Sequence, residues 1–172
     1  ATLAVTSGGT GSTDAGSALF NLGCPAHYVT VRASSNQVGT ATATTFTYTA
    51  TGAIVLEGIT VAVGDVVLFT LQTTNTQIGP WVCTTAGTTG VSQVMTRPSW
   101  FTGTAPPVIC NVQRGNISAG VGYNIFAVTA AVTDIVVGTT ALGASVNMPR
   151  GSVAVLGGNT FTGKNTLVAG SA

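Results

Sequence analysis

Charge is almost missing from this sequence, and that limits what it can fold into more than any other feature. Only 5% of its 172 residues are Asp, Glu, Lys or Arg, against about 25% in an ordinary soluble domain. They are Asp14, Arg32, Glu57, Asp65, Arg97, Arg114, Asp134, Arg150 and Lys164. A helical bundle coats its solvent faces with Glu, Lys, Arg and Gln, so these residues cannot build one. Threonine takes their place with 31 copies, beside 23 glycines. Thr is polar without being charged, and its branched side chain suits a strand. Hydrophobic residues reach 45%, enough to fill the core of one domain of this length and to disfavour disorder.

The same scarcity removes several function classes. Five basic residues spread along the chain cannot track a phosphate backbone, so no nucleic-acid partner is expected. No acidic cluster is present to hold calcium. The most apolar stretch, residues 123–137, is interrupted by Asn124, Thr129, Thr133 and Asp134 and is too short for a spanning helix. Residues 1–7 lack the basic start and apolar core of a secretion signal. Cys24, Cys83 and Cys110 are odd in number and widely spaced. They read as reduced, partly buried small residues, which fits synthesis in a cytoplasm.

Pattern along the chain divides it into three: 1–27, 28–147 and 148–172. The first part predicts an extended Gly-rich arm and then a short helix. Ser12 or Thr13 would cap that helix, and Ala15, Ala18, Leu19 and Leu22 would form one apolar stripe. Gly23 and Pro25 stop it. The middle part predicts strand after strand: 28–33, 42–49, 66–71, 80–85, 92–97, 107–113, 122–128 and 134–139. In 42–49, Phe46 and Tyr48 share one face while Thr45, Thr47 and Thr49 share the other. Residues 66–71, VVLFTL, read as a strand buried on both faces. Gly-containing turns separate most of these runs. The expected fold class is therefore all-β, a sandwich or small barrel of short antiparallel strands with a short N-terminal helix and extended terminal arms. The third part predicts one further strand over 152–156 and then an extended tail.

Chemistry-bearing residues are few. His27 is the single histidine, and nothing in the sequence places a nucleophile beside it. Cys24 and His27 give two of the four ligands a structural zinc needs. The stretch from Gly8 to Thr13 has the glycines of a phosphate loop but no lysine and no strand leading into it. No enzyme activity, cofactor or metal is expected.

One segment carries more information. Residues 57–97 pair a turn at Gly58 and Ile59 with a Gly64–Asp65 turn opening an apolar strand through Val67 and Leu68. Gln72 and Thr73 follow, then a turn at Gly79, a strand led by Trp81 and Val82, and a strand ending in Thr96 and Arg97. This arrangement resembles a β-rich module of bacteriophage virion proteins, found in tail fibres and capsid surface proteins. YVTVRA at 28–33 is similar to the module's opening. The upstream run through Gly9, Thr10, Gly11, Ala15, Asn21, Leu22 and Gly23 resembles an element that precedes new domains in phage fibre proteins. Ile78, Gly79 and Pro80 stand where the module usually has Asn-Gly, and its usual charges around the central hairpin are largely missing.

The resemblance implies a virion structural protein, often trimeric, with no catalytic residue. Small size favours a capsid decoration (cement) protein, bound as a homotrimer to the major capsid protein on the capsid exterior. The alternative is a tail-fibre or tail-tip domain that binds a host receptor. There Trp81, Trp100, Phe101 or Tyr123 could stack on a sugar if they were exposed, although a strand tryptophan such as Trp81 more often packs in a core.

Overall fold

The computed structural model describes residues 26–129 and 135–148. The expected arm, the helix after Ser12 and the segment after Met148 lie outside the described residues. In chain order the strands are β1 (Ala26–Val29), β2 (Val31–Ala33), β3 (Gly39–Ala41), β4 (Thr45–Thr51), β5 (Val55–Leu56), β6 (Ile59–Thr60) and β7 (Val66–Phe69). They continue as β8 (Gly79–Thr85), β9 (Ser92–Thr96), β10 (Thr104–Ala105), β11 (Val108–Val112), β12 (Gly122–Ala127), β13 (Ile135–Val136) and β14 (Leu142–Met148). The one helical element among them is a single 3₁₀ turn, Asn75–Gln77. The fold is all-β.

Two main sheets carry it. One has six strands in the order β2-β7-β8-β9-β4-β3, the other four in the order β1-β11-β12-β14. Two short two-stranded pairs complete it, the β5-β6 hairpin and the long-range pair β10-β13. Most pairings are antiparallel, as expected, but β1 runs parallel to β11 and β2 parallel to β7. Both exceptions come from one continuous stretch, 26–33, that changes sheets at Thr30. The Thr30 amide donates to Val66 O at 2.7 Å, while Val29 O and Thr30 O accept from the Gln113 and Arg114 amides at 2.8 Å each. Alternation over 28–33 predicts Val29 and Val31 on one side of a single strand; the sheet change instead sends Val29 into one core and Val31 into the other.

The six-stranded sheet curls around an aromatic interior. Phe46 on β4 and Phe69 on β7 are separated by two intervening strands, yet their ring centroids lie 5.2 Å apart at 79°. Tyr48 and Trp81 complete the cluster, with edge-on or tilted contacts that suit the ring quadrupoles. Register shifts within the β4–β9 and β8–β9 pairs add the local twist that such curling needs. Leu56, Ile59 and Val61 from the β5–β6 region pack onto this interior. Gln93, fully buried, pins them there: its Oε1 accepts from the Ile54 amide at 3.0 Å and its Nε2 donates to Val61 O at 3.4 Å.

The second core is mainly aliphatic, with Phe101 and Tyr123 buried in it, and lies between the sheets. Val29, Val108, Cys110, Val112, Ile125 and Leu142 come from the four-stranded sheet and its flank, and Leu68 meets them from β7. Val67 and Phe69 point into the aromatic core instead. The strand expected over 66–71 ends at Phe69 and Leu71 is exposed, but the 66–69 span is buried on both faces, because it is the wall between two cores.

Candidate functional site

Gly79 and Trp81 of the phage-like motif meet around the buried guanidinium of a third motif residue, Arg97. Arg97, just past the end of β9, lays its guanidinium carbon 3.7 Å from the centroid of the Trp81 ring. Its Nη1 donates to Pro80 O at 3.0 Å, and its Nη2 donates to Thr76 O at 2.8 Å and Ile78 O at 3.1 Å. Burial pushes the Arg97 pKa down, to about 9. The three carbonyls and the ring face keep it a cation at neutral pH. Gly79 sits at φ +112°, and a Cβ there would come within 3.1 Å of both Arg97 and Phe101. Only glycine meets the dihedral and the space together. Trp81 Nε1 donates to Gln77 O at 2.8 Å, which closes the same turn from the other side. Thr96 closes β9 against Thr45 and Val82.

Gly58, Gly64 and Asp65 serve a second junction, where the six-stranded sheet meets the loop between β11 and β12. Asp65 accepts from the Ala62 amide at 2.9 Å, which is the turn bond its sequence position implies. It also accepts from the Thr30 hydroxyl and from Arg114, each at 3.2 Å, so it ties the sheet switch to the end of β11. Beside it, Glu57 holds a left-handed φ of +47°. Its carboxylate accepts from Arg32 Nε at 3.1 Å, from the Ser118 amide at 3.0 Å and from the Ser118 hydroxyl at 2.5 Å. Gly58 and Gly115 make room: a Cβ on the first would strike the Asn116 amide, and on the second the Glu57 carboxylate. Gln72 stands apart, buried, with its Oε1 accepting from the Gln37 amide at 3.2 Å.

These constellations tie the elements of the fold together. Cys83 and Cys110 are buried free thiols, and burial pushes Cys110 up to about 12. Among the described residues no three of His, Cys, Asp and Glu come together to hold a metal ion. Of the aromatic residues considered for sugar stacking, Trp81, Phe101 and Tyr123 are buried in the cores.

The open surface lies elsewhere, on the outer face of the four-stranded sheet. There Ile109, Asn124 and Ser145 are cross-strand neighbours, and Phe126 lies opposite Gly143 in the next row but one along β12. With Pro107 they line an open groove of about 420 Å³. A Cβ on Gly143 would come within 2.8 Å of the Phe126 ring, so this glycine lets the ring lie down across its neighbour strand. Sequence reasoning missed Glu57, Arg32, Ser118, Gln93 and Phe126. The alternation in 92–97 puts Gln93 on the same side as Met95, and that was the available signal for the first buried amide. No protein-family model, curated protein or solved structure matches the chain.

Proposed function

We propose that this chain is a bacteriophage virion protein, a capsid decoration (cement) protein that binds the outer capsid surface as a homotrimer and stabilises the head. One observation carries the reading. The described charges are used up inside the chain. Arg32 pairs with Glu57, Arg114 with Asp65, and Arg97 is buried on Trp81. What the described residues show outside, Arg114 apart, is an uncharged surface with exposed apolar side chains, Tyr28, Val55, Val63, Val128 and Val146 among them. A neutral exterior promotes association, which costs a free monomer solubility and suits a subunit covered by its neighbours.

Strand β14 supports the same reading. It is seven residues long, lies at a sheet edge and carries neither charge nor proline. Isolated proteins usually protect such an edge with one of those devices. The resemblance of residues 57–97 to the phage module agrees with the all-β fold. Holding the shell would proceed by area burial and backbone hydrogen bonds, with no chemistry and no cofactor.

A tail-fibre or tail-tip domain that binds a host receptor is the second reading, and the open groove on the four-stranded sheet favours it. Counting copies per virion and imaging particles that lack the chain separate the two. Hundreds of copies, with density lost from the shell and heads weakened to heat or low salt, are expected. A handful of copies confined to the tail would overturn the decoration reading.

A further inference from the structure

The groove on the outer face of the four-stranded sheet has a chemistry of its own. Phe126 is 37% exposed, with one side of its ring resting over Gly143. Asn124 lies two residues away on the same face, and Ser145 is its cross-strand partner. Neither the Asn124 amide nor the Ser145 hydroxyl is committed to a side-chain hydrogen bond among the described residues. None of the five described charged residues lines the groove.

Each feature narrows the occupant. A lining without charge offers no counter-ion to phosphate, carboxylate or ammonium, so charged ligands would lose hydration without return. An uncommitted amide both donates and accepts, and a hydroxyl beside it does the same, which matches a pair of neighbouring alcohol groups. A ring face lying along the floor is an apolar platform for the C–H face of a pyranose. An added peptide strand is disfavoured, because β12 is already paired on both sides and the groove lies on the sheet's face, away from its edge. We infer that this groove is a binding site for a neutral saccharide. Phe126 stacks on the sugar, and Asn124 and Ser145 bond its hydroxyls. The inference holds whether the protein sits on the shell or on a fibre.

The test is a titration of the ¹⁵N-labelled full chain. The probes are neutral oligosaccharides ending in mannose, galactose or N-acetylglucosamine, with their sialylated and sulfated counterparts alongside. Amide shifts are expected at 108–109, 124–126 and 143–145 with at least one neutral probe, and weaker binding of its acidic counterpart. Phe126→Ala should weaken that binding about tenfold or more. Asn124→Asp keeps the size of the side chain while adding a charge and removing the donors, so it should also weaken binding even if the Phe126 variant folds poorly. Circular dichroism melts check folding of both. The inference fails if no neutral probe shifts these amides, if the shifts fall elsewhere, if folded Asn124→Asp binds unchanged, or if acidic sugars bind as well as neutral ones.

Discussion

The two main sheets solve the same problem in opposite ways. The six-stranded sheet turns inward, curling until Phe46, Tyr48, Phe69 and Trp81 meet ring to ring, with the β5–β6 region over them. The four-stranded sheet has an inner face that is aliphatic apart from Tyr123, while its outer face shows Tyr28 and Phe126. A sheet closed over its own aromatics needs no partner to hide them. A sheet with one covered face leaves the other for contact. The difference puts the larger share of stability in the first and leaves the outer face of the second open for the proposed contact.

Breaking the first sheet should cost most. Trp81→Ala removes the ring under Arg97 and the centre of the aromatic cluster, and should destabilise the chain by about 3–5 kcal/mol in urea or thermal unfolding. Arg97→Met should cost about 2–3 kcal/mol, because three carbonyls lose their donors while most of the packing volume is kept. If the two cores form one cooperative unit, amide exchange in β11 and β12 will speed up along with β7 and β8. If only β7 and β8 respond, the sheets unfold separately.

The junction between the sheets comes next. Glu57→Gln keeps the shape but removes the charge facing Arg32, and should cost about 1–3 kcal/mol by the same unfolding measurement.

Alkaline pH probes the aliphatic core. Burial raises Cys110 to about 12 from 9. As pH rises from 9 toward 12 the unfolded thiol ionises while the folded one stays protonated, so stability falls across that window. The slope for this one group is on the order of 1 kcal/mol per pH unit. Burial also raises Cys83 and Tyr48, which act in the same sense, whereas the lowered Arg97 acts against them. Cys110→Ala isolates the contribution of its group: unfolding midpoints of this variant should fall less steeply above pH 9 than those of the parent chain. The smallest effect is expected at the exposed face, where Phe126→Ala should change stability by only about 0.5 kcal/mol while weakening the proposed saccharide binding about tenfold or more. A loss of several kcal/mol there would instead make Phe126 a structural residue and erase the contrast between the sheets.

Sequence pattern reached most of the closed sheet and much less of the open one. Alternation placed Phe46 and Tyr48 on one side of β4, and the apolar run at 66–71 disclosed a doubly buried strand, because both signals are local. The Gly64–Asp65 turn was equally legible, since the bond from the Ala62 amide to Asp65 spans three residues. β14 was missed: LGASVNM has small and polar residues where a strand usually shows bulk, and only its pairing with β12 makes it one. The sheet change at Thr30 was also hidden, because Val29 and Val31 look alike in any local window and differ only in which distant strands receive them. The buried role of Arg97 could not be read either, as its carbonyl partners lie 17 to 21 residues away. The groove was out of reach for a similar reason: Pro107, Phe126 and Ser145 are neighbours only through the sheet.

The parallel pairing at β1 has a mechanical consequence. β1 runs parallel to β11, β11 antiparallel to β12, and β12 antiparallel to β14, so β1 and β14 point the same way. By register Ala26 shares a row with Ile109, Asn124 and Ser145, while Met148 shares the nearby row of Tyr28, Asn111 and Gly122. The chain therefore enters and leaves the sheet at opposite edges, close to the same level. A pull applied between those two points runs mainly across the strands rather than along them. The ladder bonds are then loaded in turn from an edge strand, and the sheet peels open rather than sliding as a whole.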